Sequence, residues 1–250
     1  MDDAQLQPLP GIIVSIGPRA VRVTSREPLA VLSSAVVGGG FGHVHEILNL
    51  HVSDKYDGER PEDDLAAGAA ELGVQGLFVG LMTAAYTQFA RCATETLGDL
   101  TVAAVVSVGL SNTSAAGVTP PLGLEDLARD VDAATRGPAA GAAAPRPGTI
   151  NVILLVDGAL TPAAMVNAVI TTTEAKTLAL TAWDVKTPEG GPASGTSTDT
   201  VVVACTGRGD RLSYAGPATR VGWLAARAVR AAMDRICEEK IARDGGRDGW

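Results

Sequence analysis

Cysteine is scarce in this chain: Cys92, Cys205 and Cys237 are the only three among 250 residues. They form no CxxC pair, and an odd number this widely scattered provides no disulfide framework. Rings are equally sparse, with three each of Trp, Tyr and Phe, so the mass is only 25.4 kDa. No run of about 18 uninterrupted apolar residues exists, which removes a membrane-spanning helix. The chain opens acidic at Met1-Asp2-Asp3, where a secretory leader would open basic, so a cytoplasmic protein is expected. Positive charge is also in deficit. Twenty basic against 28 acidic side chains leave a net charge of −8, which repels phosphate backbones and anionic lipid. Neither a nucleic acid nor a membrane is an expected partner.

What the chain has is 46% hydrophobic residues spread throughout and 19% charged residues, enough for the core of one large globular domain. Short β-rich runs at 11–16, 20–24 and 29–37 lead into Gly38-Gly39-Gly40-Phe41-Gly42. A strand over 43–52 follows, then a helix from the acidic first turn at Pro61 to about Gly73. Further β-like runs cover 77–82, 87–92 and 101–110. Residues 133–148 contain only Ala, Gly, Pro, Thr and Arg, the composition of a flexible spacer. A buried-type strand at 149–156 comes next. Thr161 and Pro162 then start a helix as N-cap and first residue, with Val166, Val169, Ile170, Thr173, Thr177 and Leu180 at helical spacing. A strand at 200–205 and a helix over about 218–240 complete the pattern, the helix carrying an apolar stripe of Val221, Leu224, Ala228, Val229, Ala232 and Ile236. The expectation is a single domain over 1–240, α/β or α+β in layers, with a tail at 241–250.

Three groups of residues invite a chemical reading. His43 and His45 share one face of a strand, with Glu46 and His51 nearby, and two imidazoles on one face can reach one metal ion. No second ligand motif accompanies them, so a solvent-facing or substrate-contacting pair is the better-supported reading and no metal is expected. The Gly38 to Gly42 run matches neither the dinucleotide nor the phosphate-loop pattern; it is a tight turn, or a surface that a large ligand approaches closely. Ser and Thr crowd the strand ends, at Ser33-Ser34, Ser111-Asn112-Thr113, Thr149 and Ser194 to Asp199, where each has a capping or turn role as its plainer reading. There is no Gly-x-Ser-x-Gly elbow, and no cysteine has a histidine beside it in sequence.

Longer motifs bring these fragments together. Leu32-Ser33-Ser34-Ala35 before the triple glycine, Asn49 with His51-Val52, Gly80 to Ala85, and Gly109-Leu110-Ser111-Asn112 resemble the adenosylcobinamide amidohydrolase family. So do Gly148-Thr149-Ile150-Asn151, Asn167 to Thr171, Thr173 to Thr177, and Gly195-Thr196-Ser197-Thr198-Asp199. The resemblance spans roughly residues 30 to 232. It implies hydrolysis of the amide that joins the aminopropanol arm of adenosylcobinamide to the corrin ring, giving adenosylcobyric acid and 1-amino-2-propanol, with the corrinoid as substrate and no cofactor. A fainter resemblance links Gly148 to Asp157, the Pro-started helix and Gly195 to Asp199 with the ornithine acetyltransferases and the L-aminopeptidase D-Ala-esterases. It implies a layered αββα sandwich and a nucleophile at Thr149 that self-cleavage makes N-terminal.

Under that resemblance Thr149 is the candidate nucleophile, the alternative being a Thr that merely opens a strand. Its base is either its own freed α-amino group or Glu174 on the following helix. Asn112 is the candidate oxyanion donor, with a plain turn Asn as alternative. Gly38, Gly39, Gly40, His51 and Lys176 are assigned to substrate contact. Asp157 and Asp199 each orient a neighbour or cap a loop. The competing functions are an N-terminal-nucleophile aminopeptidase or acyltransferase with a smaller substrate, and a corrinoid-binding module without turnover.

Overall fold

The computed structural model describes residues 3–120 and 148–244. Most of the expected spacer, 133–147, and the end of the tail, 245–250, lie outside the described residues. Within them, strands β1 (Ala4–Leu9), β2 (Ile12–Ile16), β3 (Ala20–Ser33), β4 (Gly40–His51), β5 (Phe78–Thr83), β6 (Arg91–Leu97), β7 (Leu100–Val108), β9 (Ile150–Val156) and β12 (Thr200–Cys205) form one sheet. Two short pairs stand apart from it: β8 (Thr113–Ser114) with β11 (Gly195–Thr196), and β10 (Ala159–Leu160) with β13 (Arg211–Leu212). The helices are α1 (Pro61–Glu71), α2 (Pro162–Ala182) and α3 (Arg220–Asp244).

The sheet doubles over on itself, and β3 is the turning point. Its first half pairs with β2 from Val21 to Ser25, and its second half pairs with β12 from Ala30 to Ser33. The sequence reads as two strands here because Arg26-Glu27-Pro28 is exposed and interrupts the apolar pattern. Between Thr24 and Leu29 the register with β4 shifts. Pro28, which has no N–H to donate, sits in that irregularity, where no ladder bond is lost. β1 escapes the sequence pattern altogether: it is an exposed edge strand with Pro8 inside it.

Each layer follows from side-chain alternation. On β9, Val152, Leu154 and Val156 pack with the helices, while Ile153 and Leu155 face the other half of the sheet. β7 divides in the same way, with Val102, Ala104 and Val106 toward the helices and Ala103 and Val105 inward. A strand buried on both faces has no polar side to show, which is why TINVILLV reads as one continuous apolar run. Helices α2 and α3 cover the outer face of β6, β7, β9 and β12. β1 to β5 form the second sheet layer, and α1 packs outside β4 and β5 through Ala69 against Leu48 and Ala20. The result is the expected αββα sandwich.

Two helical expectations change. The inner face of α2 carries Ala164, Ala168, Ala175 and Ala179 beside α3's Ala225, Ala228 and Ala232, so small residues let the two helices approach closely. The bulkier Val166 and Ile170 face outward, 51% and 50% exposed, so the residues read at helical spacing divide: these two and Thr173 are exposed, Val169 packs partly on the core, and Leu180 is buried in it. The helix read to end near Lys240 continues to Asp244, while its apolar stripe is buried as expected. No helix among the described residues is long and apolar enough to cross a membrane.

Candidate functional site

One end of the sandwich collects the loops that carry the Ser, Thr and Asn clusters. β7 ends with Val108 opposite Ile150, β12 begins with Thr200 beside Asn151, and β3 ends with Ser33 opposite Val202. The segments that leave or enter these strands, around 34–39, 109–114, 148–149 and 195–199, therefore meet where β9 begins. Thr149 is at the centre and only 4% exposed. Its carbonyl accepts from Gly109 N at 2.9 Å, and its hydroxyl donates to Thr198 O at 2.8 Å. Thr198 returns the contact: its own hydroxyl donates to Gly148 O at 2.9 Å. One residue thus holds the carbonyl of the Gly148-Thr149 peptide and the hydroxyl beside it.

Glycine at 148 is dictated by close approach. A Cβ there would fall 2.5 Å from Ser111 Oγ and 2.6 Å from Asn112 Oδ1, inside van der Waals contact. Asn112 is accordingly beside the peptide that precedes Thr149. Its Nδ2 donates to Ser197 Oγ at 2.8 Å, and its Oδ1 is buried with no hydrogen-bond partner among the described residues.

A second cluster fixes the first residue of β9. Asp199 Oδ1 accepts from Ile150 N at 3.0 Å, from Thr196 N at 3.1 Å and from the Thr196 hydroxyl. Its Oδ2 pairs with Lys176 Nζ. Lys176 is 6% exposed, reaching in from α2. The pair is nearly out of solvent, so its value depends on both partners and on the hydrogen bonds that fill the remaining lone pairs. Lys176 therefore faces Asp199 rather than open solvent, and it holds in place the carboxylate that anchors the residue after Thr149.

The other sequence candidates fall elsewhere. Glu174 is exposed on α2. Two residues before Lys176 it lies about 200° around the helix, so an inward Lys176 requires an outward Glu174, and the two are not brought together at Thr149. Gly38 to Gly40 turn the chain between β3 and β4, at the opposite end of β4 from His51. Gly38 has φ +69° and backs onto Phe78 O, where a Cβ would come within 2.6 Å, which accounts for the loop by backbone geometry. His51 closes β4 half-buried, and its Nδ1 donates to Ala85 O at 3.1 Å. Its ring tilts against the exposed Tyr86 with centroids 5.5 Å apart. Ala85 in turn packs against Gly109, beside Thr149. His43 and His45 are exposed near the far end of β4, with His45 bonded to Ser25 O. Among the described residues no group of three or more His, Cys, Asp or Glu is placed to hold a metal. Asp157 follows β9, at the other end of the strand from Thr149, where it accepts from the Thr206 hydroxyl and Arg208 Nε; it clamps that loop. Burial pushes the Cys92 thiol up to about 11 and raises Cys205 as well, so neither is a ready thiolate at neutral pH.

Sequence reasoning left Asn49, Ser107 and Asn151 without roles, although Asn49 and Asn151 stood inside the family motifs. All three are buried below Thr149, between the sheet layers. A usable signal was present: each is a polar residue interrupting an apolar strand, in Ile47-Leu48-Asn49-Leu50, Val105-Val106-Ser107-Val108 and Ile150-Asn151-Val152. Such a group persists in a core only with its hydrogen bonds satisfied, which points to a network.

The family model described as adenosylcobinamide amidohydrolase matches residues 14–244. An adenosylcobinamide amidohydrolase of Methanosarcina mazei is 28% identical over 205 residues, 78% of this chain and 84% of that protein. One of Halobacterium salinarum is 35% identical over 158 residues, 63% of this chain and 56% of that protein. An uncharacterized protein of Methanocaldococcus jannaschii is 39% identical over 88 residues, 34% of each chain. This chain thus spans only about a third to a little over half of two of those relatives. Among solved structures, a Burkholderia beta-aminopeptidase aligns over 89% of this chain and 79% of its own at 14% identity and a TM-score of 0.45. An L-aminopeptidase D-Ala-esterase/amidase from Ochrobactrum anthropi aligns over 94% and 82% at 13% identity and a TM-score of 0.41. With its family model matched over nearly the whole length, from β2 to the end of α3, the chain belongs to the adenosylcobinamide amidohydrolase family of hydrolases.

Proposed function

We propose that this protein hydrolyses the amide between the aminopropanol arm of adenosylcobinamide and the corrin ring, with Thr149 as nucleophile. The observation that carries the reading is the clamp around one peptide bond: Thr198 holds both the Gly148 carbonyl and the Thr149 hydroxyl. A base is still needed. The ionisable side chains in the cluster at the start of β9 are Asp199, which accepts from Ile150 N, and Lys176, and these are committed to each other. The α-amino group of Thr149, with an unperturbed pKa of about 8 once freed, fills that role.

Freeing it is read as self-cleavage of the Gly148-Thr149 peptide. The Thr149 hydroxyl oxygen attacks the Gly148 carbonyl carbon, the C–N bond breaks, and the proton moves to the departing nitrogen. This leaves an ester between Gly148 and the Thr149 oxygen. Water then hydrolyses the ester to a Gly148 carboxylate and an N-terminal Thr149. The Thr198 hydroxyl on Gly148 O is placed to stabilise the oxyanion of that step.

In turnover, Thr149 Oγ attacks the substrate amide carbonyl and passes its proton to the α-amine. The amine delivers that proton to the leaving nitrogen, releasing 1-amino-2-propanol. Water, deprotonated by the same amine, splits the acyl ester to give adenosylcobyric acid. Asn112 is the oxyanion donor in this reading. Turning its amide end for end would aim Nδ2 at the Gly148 side and let Ser197 donate to Oδ1, which removes the unpartnered buried acceptor. Gly38 to Gly40 and the His51-Tyr86 edge are the surfaces for the corrin. Glu174 has no part, and Lys176 acts on Asp199 rather than on substrate. The corrinoid is substrate, no cofactor is needed, and the protein is cytoplasmic in this reading.

Incubation with adenosylcobinamide should release 1-amino-2-propanol in equal amount with a new corrinoid carboxylate. Denaturing electrophoresis of the active protein should show fragments of about 15 and 10 kDa, in proportion to 148 and 102 of the 250 residues. Absence of the amine product overturns the substrate. An uncut but active chain overturns the α-amine base.

A further inference from the structure

We propose that Asn49 is a positioning residue of this reaction, acting through Asn151 on the Thr149 hydroxyl. The inference rests on Thr149 being the nucleophile, and it concerns what holds that hydroxyl still.

Asn151 and Ser107 are Cα partners on adjacent strands β9 and β7, and Asn49 belongs to β4 in the facing layer. Asn49, Ser107 and Asn151 are 2%, 2% and 1% exposed. The direction of every bond follows from one acceptor. Met82 O can only accept, so the 2.8 Å contact fixes Asn151 Nδ2 on that side. The same Nδ2 donates its other hydrogen to Asn49 Oδ1 at 2.8 Å. Asn49 must then present Nδ2 to Ser107 Oγ, at 2.9 Å. With both amide hydrogens of Asn151 spent, its Oδ1 is left facing Thr149 Oγ1 at 3.4 Å. The Thr149 hydroxyl thus meets two oxygens, Thr198 O and Asn151 Oδ1, and the second is held by groups from both sheet layers.

Stability does not account for this cluster. Farther along β9 the same inter-sheet face is apolar, as Ile153 and Leu155. Replacing a fully paired buried polar group and its partners by apolar ones of similar shape is often close to neutral. A nucleophile, by contrast, must be held to a fraction of an ångström, and a misplacement of about 1 Å can cost a hundredfold in rate. Asn49 touches neither Thr149 nor any surface a substrate reaches, so its effect must pass through the orientation of Asn151.

The test is Asn49→Ala, with Ser107→Ala as a milder cut at the far end of the relay. Each is measured for kcat and KM on adenosylcobinamide, and for the rate at which a β-lactone acylates Thr149, read by mass spectrometry of the intact protein. In that probe reaction Thr149 Oγ opens the lactone ring, forming an ester and leaving a hydroxyl on the released end. Asn49→Ala should lower kcat and the acylation rate at least tenfold while KM stays within twofold, and Ser107→Ala should lower both at least threefold. Wild-type rates in both variants would overturn the relay, as would a raised KM with kcat unchanged. Should Asn49→Ala fail to fold, Ser107→Ala decides alone by the same criterion. A wild type that is acylated at Thr149 yet leaves adenosylcobinamide intact overturns the substrate assignment, and the acylation rates of the variants still decide the relay.

Discussion

The Lys176-Asp199 pair is valuable only as a pair. Asp199 accepts from Ile150 N and Thr196 while Lys176 neutralises it. Removing the cation leaves a carboxylate nearly out of solvent without its partner, a change that costs about 3–5 kcal/mol in comparable pairs. Lys176→Met should therefore lower the melting temperature and reduce turnover, because the anchor of β9 loosens next to Thr149; an unaltered melting curve would contradict that role. Cys92 gives a second prediction, with the opposite pH sense from a paired carboxylate. Burial raises its thiol from 9.0 to about 11, so the folded state favours the protonated form. Its contribution is complete below pH 9 and is lost as pH rises through 11. Urea denaturation across pH 8 to 11 should show stability falling over that window, less steeply in Cys92→Ala. Legibility at this scale divided by chemistry. Thr149, Asn112 and Asp199 could be read because they fall inside long motifs. The placement of Glu174 could not, because motif membership does not give helical phase: Lys176, two residues on, takes the inward position. Asn49 and Asn151 stood in motifs too, but a polar residue in an apolar strand gains meaning only when the strand across from it is known.

Elements were more legible at their ends than on their faces. The start of α2 could be read because its signal is local: Thr161 Oγ1 accepts from Ala164 N at 3.1 Å, and Pro162 needs no donor at the first position. Thr161→Ala should cost about 1 kcal/mol in a denaturation experiment and leave turnover unchanged, since the cap is at the opposite end of the helix from Lys176. The inward face of α2 could not be read from spacing, because it mixes Met165 and Leu180 with Ala164, Ala168, Ala175 and Ala179, while Val166 and Ile170 stay outside. α3 followed the usual link, and its stripe from Val221 to Ile236 is buried. β3 was read as two strands because Pro28 and its exposed neighbours break the alternation where the sheet folds over. That break is the feature that converts one long sheet into two packed layers, so the element hardest to read decides the architecture.

Over the whole molecule, both sheet layers deliver residues to one end: Thr149, Asn112 and Thr198 from the layer beneath α2 and α3, Asn49 and His51 from the layer beneath α1. The αββα arrangement is what sets them face to face, and no local pattern in the chain contains that information. The histidines are spread along β4, with His43 and His45 exposed and His51 half-buried at the strand's end. Dialysis against a strong chelator should accordingly leave hydrolysis intact, and activity lost to chelation and restored by zinc would contradict this. The central claim is that the Thr149 oxygen carries the reaction. Its most direct test is turnover of adenosylcobinamide by Thr149→Ala, with folding checked by circular dichroism and Thr149→Ser as the retained-hydroxyl control. The account predicts a folded Ala variant slower by about a thousandfold or more and an active Ser variant. A folded Thr149→Ala protein with wild-type turnover would contradict it.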